Sequence, residues 1–143
     1  MLAISVYLDT NLVAAVLIPE PLSDRAERFL ASCEDLVVVS DLVAVEFSSL
    51  LARRIRTREF TVDQARTALA NFDAWTDRLA ERADIHASDL SVATSFLRRL
   101  DLPLRSLDAI HIAAARRIGA TLVTFDRQME ASARALGMAV ATP

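Results

Sequence analysis

A chain of 143 residues, 53% apolar, with two glycines, four prolines and one cysteine, holds enough apolar mass for a real core and fits one ordinary domain, residues 1–143. This excludes a disordered tail, and a lone Cys33 with two histidines excludes a disulfide framework and a structural zinc site. A net charge of −3 argues at first against a nucleic-acid partner, since phosphate binding ordinarily wants a basic surface.

Short β-branched runs alternate with longer helical patterns, which predicts an α/β protein: a central parallel β-sheet with helices on both faces, a three-layer α/β/α fold. Ile4 to Leu8 reads as a buried first strand, and a short helix from Thr10 to Leu17 is stopped by Pro19 and Pro21. Ser23 is placed to cap the next helix. Leu36 to Val39 reads as a second strand, with Ser40 placed to cap a helix reaching Arg56. Thr61 and Gln64 form a capping box that opens a long helix toward Arg82. Ile85 and His86 read as a short strand, Ser88 to Leu100 as a helix, and Ser106 as the start of a helix closed by Gly119. Thr121 to Phe125 is a strand, Asp126 to Leu136 a helix closed by Gly137, and Met138 to Ala141 an edge strand.

Met1 to Leu8 is apolar but lacks a basic flank and runs into Asp9, and Thr10 to Pro19 is far below spanning length. The expectation is a cytoplasmic protein with no membrane segment.

Ligands of open α/β sheets bind outside the carboxyl ends of the strands, so the acids that end strands come first. Asp9 ends the first strand and is followed by Thr10 and Asn11; Asp126 ends the Thr121–Phe125 strand, with Thr124 two residues earlier. Either acid also stands where a helix cap belongs, and that reading stays open. Glu46 lies between Leu42 and Leu50 at four-residue spacing, so it faces the core or a cleft and needs a cation, either a metal or an arginine such as Arg53. Asp108 opens a helix in which Leu107 to Ala115 is apolar apart from Asp108 and His111. The positive end of the helix dipole suits that carboxylate, whether or not it binds an ion. His111, on an apolar helix, reads as a packed residue with one satisfied hydrogen bond, outside the site.

Carboxylates in this number select hard cations such as Mg²⁺ or Mn²⁺, and the chemistry that follows is hydrolysis at phosphorus. With those four acids given to metal, 16 arginines face 15 remaining acids, so an RNA substrate is permitted. Cys33 beside Glu34 and Asp35 does not favour a thiolate, and no glycine-rich phosphate loop or serine elbow is present.

The segments Leu8-Asp9-Thr10-Asn11, Ser40 to Glu46, Leu107-Asp108-Ala109 with Ile112-Ala113-Ala114, and Leu122 to Asp126 together resemble the PIN-domain family. Within it they resemble the toxins of virulence-associated protein C type, over essentially the whole length. The resemblance implies a Mg²⁺- or Mn²⁺-dependent endoribonuclease, with Asp9, Glu46, Asp108 and Asp126 as the catalytic, metal-holding acids and Thr10, Asn11 and Thr124 orienting them. It also implies a homodimer and a small antitoxin that covers the acidic site. Gln128 and Met129 stand where some relatives carry a further acid and an aromatic residue, which weakens the case for a second metal. The faces near Val43 to Leu51 or Thr61 to Trp75 are the expected dimer contacts. A receiver domain and a haloacid-dehalogenase-like phosphatase both want a lysine, and this chain has none. The remaining alternative is a PIN-like fold kept as a non-catalytic binding module.

Overall fold

The computed structural model describes residues 4–143, so the apolar start read at Met1 to Ala3 lies outside the described residues. Strand β1 (Ser5–Leu8) leads into α1 (Thr10–Leu17) and α2 (Ser23–Ser32); β2 (Leu36–Ser40) leads into α3 (Asp41–Arg56) and α4 (Val62–Leu79). Then come β3 (Glu81–Ala83), α5 (Ala87–Leu97), α6 (Ser106–Ile118), β4 (Thr121–Val123), α7 (Arg127–Ala135) and β5 (Val140–Ala141).

The five strands form one sheet in the order β3-β2-β1-β4-β5, every pair parallel. Side chains alternate across a strand, and this alternation splits the core into two layers. Val6 and Leu8 of β1, Val39 and Val123 pack with α1, α3 and α4 through Leu12, Phe47 and Phe72. Tyr7, Val38 and Leu122 face the other way and pack with α5, α6 and α7 through Phe96, Ile112 and Met129. The three-layer α/β/α architecture is therefore as the alternation in the sequence leads one to expect.

The chain builds outward from β1 on one side through β2 and β3, then crosses to the other side for β4 and β5. Between β1 and β4 the direction of winding reverses. There the following loops part in opposite directions, leaving a crevice above the strand ends. Asp9 follows β1 directly, its N–H donating to the Val123 carbonyl at 2.9 Å, and Asp126 follows β4 after two residues.

Three local readings need correction. The helix expected to reach Arg82 ends at Leu79, and the strand expected at Ile85 and His86 lies at Glu81–Ala83, paired with Val38, Val39 and Ser40. Alanine, glutamate and arginine favour helix, but the free edge of β2 recruits this backbone, and sheet pairing overrides propensity. Ser40 holds the N-cap position of α3 but makes no cap bond, its Oγ accepting from the Tyr7 hydroxyl instead, whereas α6 begins at Ser106 as read, with Arg105 at its N-cap position. Ser23 is the first residue of α2, and its hydroxyl accepts from the Glu20 N–H and donates to the Ile18 carbonyl. The capping box of Thr61 and Gln64 forms as read, at 3.1 and 2.9 Å, and Gly119 closes α6 with φ 74°, a backbone that favours glycine.

Candidate active site

Asp9, Glu46, Asp108 and Asp126 line a single cleft of about 580 Å³ at the carboxyl ends of β1 and β4, together with Thr10 and Asn11. All four acids named from the sequence are brought together.

Asp9 is 6% exposed. It is the cap of α1, its Oδ1 accepting from the Thr10 N–H at 2.7 Å, and its Oδ2 accepts from the Thr124 hydroxyl at 2.7 Å. Burial pushes its carboxyl above the ordinary range, and nearby His111 with the Thr124 and Thr10 bonds offsets this only in part. Asp126 is likewise a true cap: Oδ1 accepts from the N–H groups of Gln128 and Met129 at 2.9 and 3.0 Å. Capping and cleft-lining are thus compatible in one residue, because a carboxylate has two oxygens and the cap bonds of Asp126 use only one.

Thr124, fully buried, accepts from the Asp126 N–H at 3.0 Å while donating to Asp9, so it locks the two strand-end acids to one another. Asn11 braces the same loop, its Oδ1 accepting from the Phe125 N–H at 3.3 Å and its Nδ2 donating to Thr124 at 3.4 Å. Thr10 donates to Glu46 at 2.9 Å. The three polar residues singled out in the sequence therefore each touch or brace an acid of the cleft.

Glu46 does face the cleft, and of the partners weighed in the sequence Arg53 does not pair with it; the Nε2 of His111 donates to it instead. Burial pushes the Glu46 carboxyl up, but the His111 bond and charge and the Thr10 bond outweigh that and hold it below the ordinary range. His111 is fully buried, as an apolar helix predicts, but both ring nitrogens are engaged. The Tyr7 hydroxyl bridges its Nδ1 at 2.6 Å and Ser40 Oγ at 2.7 Å, and Nε2 lies 3.8 Å from Asp9. The expectation that His111 stands apart from the site is thus corrected. Its spacing of three residues from Asp108 puts the two on one helical face, and that spacing was the signal available.

Asp108 opens α6, half-buried, with burial raising its carboxyl and Arg105 pulling it down by less. The helix dipole does not keep it at an ordinary value; desolvation wins. Arg105 lies at the rim of the same cleft. Its side chain is 81% exposed, but its guanidinium lies 3.6 Å from Asp108 and 3.7 Å from Asp126, over the cleft that Arg53 and Arg54 also line.

Whether these residues suit a metal turns on their donors. Among the described residues no three His, Cys, Asp or Glu side chains stand in an arrangement ready to hold an ion. The chemistry nonetheless fits a hard divalent cation: oxygen donors converge, and two of the four carboxyls are raised by burial that nothing in the chain fully offsets. Arg105 is the cation paired with Asp108 and Asp126.

Residues 6–135 match the PIN domain, and the chain belongs to that family. It is 32% identical over 142 residues to Ribonuclease VapC46 of Mycobacterium tuberculosis, covering 97% of this chain and 98% of that protein. It is 31% identical over 121 residues to Ribonuclease VapC3 of Pyrobaculum aerophilum, covering 85% and 88%. Among solved structures, Mycobacterium tuberculosis VapC20, described as a Sarcin-Ricin loop cleaving toxin, superposes with a TM-score of 0.75 at 24% identity over 96% of this chain and 99% of that one. DNA-bound VapBC from Salmonella typhimurium superposes at 0.71 and 20% identity, covering 97% and 98%. At these identities the solved structures establish the fold. No helix among the described residues is long and apolar enough to cross a membrane.

Proposed function

We propose that this protein is a divalent-metal-dependent endoribonuclease and the toxin of a toxin-antitoxin pair. The observation that carries the reading is the meeting of four carboxylates from four separate segments in one cleft, at the switch point of the sheet, in a chain of this family. Its ribonuclease relatives match nearly end to end, which supports the same reaction class.

Asp9, Glu46, Asp108 and Asp126 would hold Mg²⁺ or Mn²⁺, as their all-oxygen donor set favours. When bound, such an ion supplies an activated water and neutralises charge at the phosphorus under attack. The chain's own residues do the rest. Thr124 and the Thr10 N–H fix both oxygens of Asp9, so its position survives whether or not the charge is compensated. His111, steadied by Tyr7, and the Thr10 hydroxyl orient Glu46 toward the cleft. Arg105, mostly solvent-exposed at the rim, is free to turn from the acids to an entering phosphodiester.

The partners of this reading are an RNA substrate, a cognate antitoxin and a second copy of the chain in a homodimer, with the cytoplasm as location. Within the segments expected to make the dimer contact, Val43 to Leu51 and Thr61 to Trp75, the residues Val43, Phe47, Leu51, Phe72 and Trp75 belong to the core of the chain itself. Val45 on α3 and Val62 on α4, 65% and 50% exposed, leave apolar surface on those same helices for a second copy.

The test is incubation with total RNA in Mg²⁺ and in chelator, followed by sequencing of the new ends. Defined ends that appear only with the ion are expected. Intact RNA, or cleavage indifferent to chelator, would contradict the reading.

A further inference from the structure

A second cleft of about 560 Å³ adjoins the acidic one and shares Leu22 with it. Its walls come from α2, α7 and the chain after β5, and its charged residues are Arg25, Arg127, Arg134 and Glu130. Glu130 is already engaged by Arg134 at 3.2 Å and by the Thr142 hydroxyl at 2.8 Å, and Arg134 also donates to the Val140 carbonyl. Arg25 donates to the Pro143 carbonyl and lays its guanidinium over the Phe125 ring, 5.3 Å from the ring centre. Arg127 is exposed and makes no ion pair or side-chain hydrogen bond among the described residues. The cleft thus carries three cations against one acid, with an aromatic plate in its wall.

The covalent chain ties this cleft to the acids. Phe125, Asp126 and Arg127 are consecutive: the middle residue lines the acidic cleft, and its two neighbours line the basic one. A strand of RNA lying across Asp126 therefore meets Phe125 and Arg127 within one residue's reach, about 3.8 Å of backbone to either side.

A centre of four carboxylates repels a polyanion, and in a protein of net charge −3 nothing global offsets that repulsion. Local cations within a Debye length, about 8 Å at physiological salt, are what can hold the strand there. We infer that the cleft of Arg25, Phe125 and Arg127 is a nucleotide subsite for single-stranded RNA: Arg127 takes the phosphate next to the scissile one, and the Arg25–Phe125 stack takes its base. This rests on the endoribonuclease reading above and adds to it where the substrate is gripped. Charge alone would equally suit an acidic peptide. The planar stack favours a nucleotide, because every base has a face to lay on it while a carboxylate does not.

The test uses a short fluorescent single-stranded RNA, followed by anisotropy in an Asp9→Asn background so that cleavage does not intrude. Phe125→Leu should weaken binding by about five- to 150-fold, the range for loss of one base stack. Arg127→Ala should flatten the slope of log affinity against log salt by about 0.7, the value for one phosphate contact on a single strand. Arg127→Lys keeps the charge and should keep that slope, while Arg98→Ala, on an exposed turn outside both clefts, should change neither. Thermal melting of each variant confirms that it is folded. In the cleaving background, Phe125→Leu and Arg127→Ala should raise KM more than they lower kcat. If wild type cleaves RNA but Phe125→Leu and Arg127→Ala retain affinity, slope and KM, the subsite is refuted and the nuclease reading stands. If the same variants lose an oligoglutamate peptide instead of RNA, the occupant is acidic protein and the inference fails. If wild type cleaves nothing in Mg²⁺, it is the nuclease reading that has failed.

Discussion

Asp9 and Asp89 are both nearly enclosed, 6% and 1% exposed, and the fold treats them in opposite ways. Asp89 receives two hydrogen bonds from the Arg117 guanidinium, at 2.9 and 3.1 Å, and one from the His86 N–H at 2.8 Å. Burial pushes Asp89 up, but these partners outweigh it and leave the carboxyl below its ordinary range. Asp9 has no arginine. Two short bonds and a histidine 3.8 Å away leave it raised by burial. The first is a finished ion pair that pins the start of α5 to the end of α6. The second is a charge whose compensation the chain leaves incomplete, and it lies in the cleft with three further acids. A buried acid that the fold has every means to neutralise, and does not, is better explained by a ligand than by stability.

Exchanging charge for a neutral isostere should separate the two. Asp9→Asn should lower RNA cleavage by about 10²–10³ in kcat, as for loss of one well-placed electrostatic group, with the melting temperature in chelator unchanged or higher. Single-turnover cleavage and calorimetry on the same preparation check both halves. Asp9→Asn that cleaves normally, or that fails to fold, would erase the contrast.

Removing the cation of the finished pair should do the reverse. Arg117→Ala strands a buried carboxylate, and because the guanidinium is itself partly exposed, the expected cost is about 2–3 kcal/mol, under the ~3–5 of a fully enclosed pair. Denaturant unfolding measures it, while kcat per folded molecule should hold.

Tyr7→Phe probes the support of the site. It deprives Ser40 Oγ and His111 Nδ1 of their shared partner and should cost about 1–2 kcal/mol in the same assay, with a smaller fall in cleavage as Glu46 loses a fixed neighbour.

The smallest effects are those of pH. Asp89 is lowered in the folded state, so its contribution is present above its unfolded value and is lost as pH falls through the folded one. Asp9 is raised, so its contribution is present below its unfolded value and is lost as pH rises through the folded one. Metal-free melting curves should therefore show Asp89→Asn flattening the acid limb. Asp9→Asn should instead remove a decline on the rising side.

The sequence reading located the four acids because each obeys a simple positional rule: two end strands, one interrupts an apolar stripe, one opens an apolar helix. What it missed were relations between segments. His111 looked like core because it is core; that its Nε2 reaches Glu46 depends on how the fold brings α6 and α3, from opposite layers, together at the strand ends. Nothing in the spacing of Arg105 singles it out, and only the folded loop shows its exposed side chain leaning over Asp108 and Asp126. Strand β3 lies three to four residues before the expected position because Ala80-Glu81-Arg82-Ala83 carries helical propensity and is extended only through its pairing with β2. Ser40 makes no cap bond for a related reason: a hydroxyl that can cap can also serve a tertiary partner, and Ser40 accepts from Tyr7.

The central claim is that the acids of the cleft are held for a divalent cation. Its most direct test is the melting temperature of wild type, Asp9→Asn and Arg117→Ala, each titrated with Mn²⁺ against chelator. The account predicts that wild type and Arg117→Ala gain with the ion, by about 2.7 kcal/mol of stability at a hundredfold excess over Kd, while Asp9→Asn gains little. A wild type indifferent to Mn²⁺, or an Asp9→Asn variant stabilised as much as wild type, would contradict it.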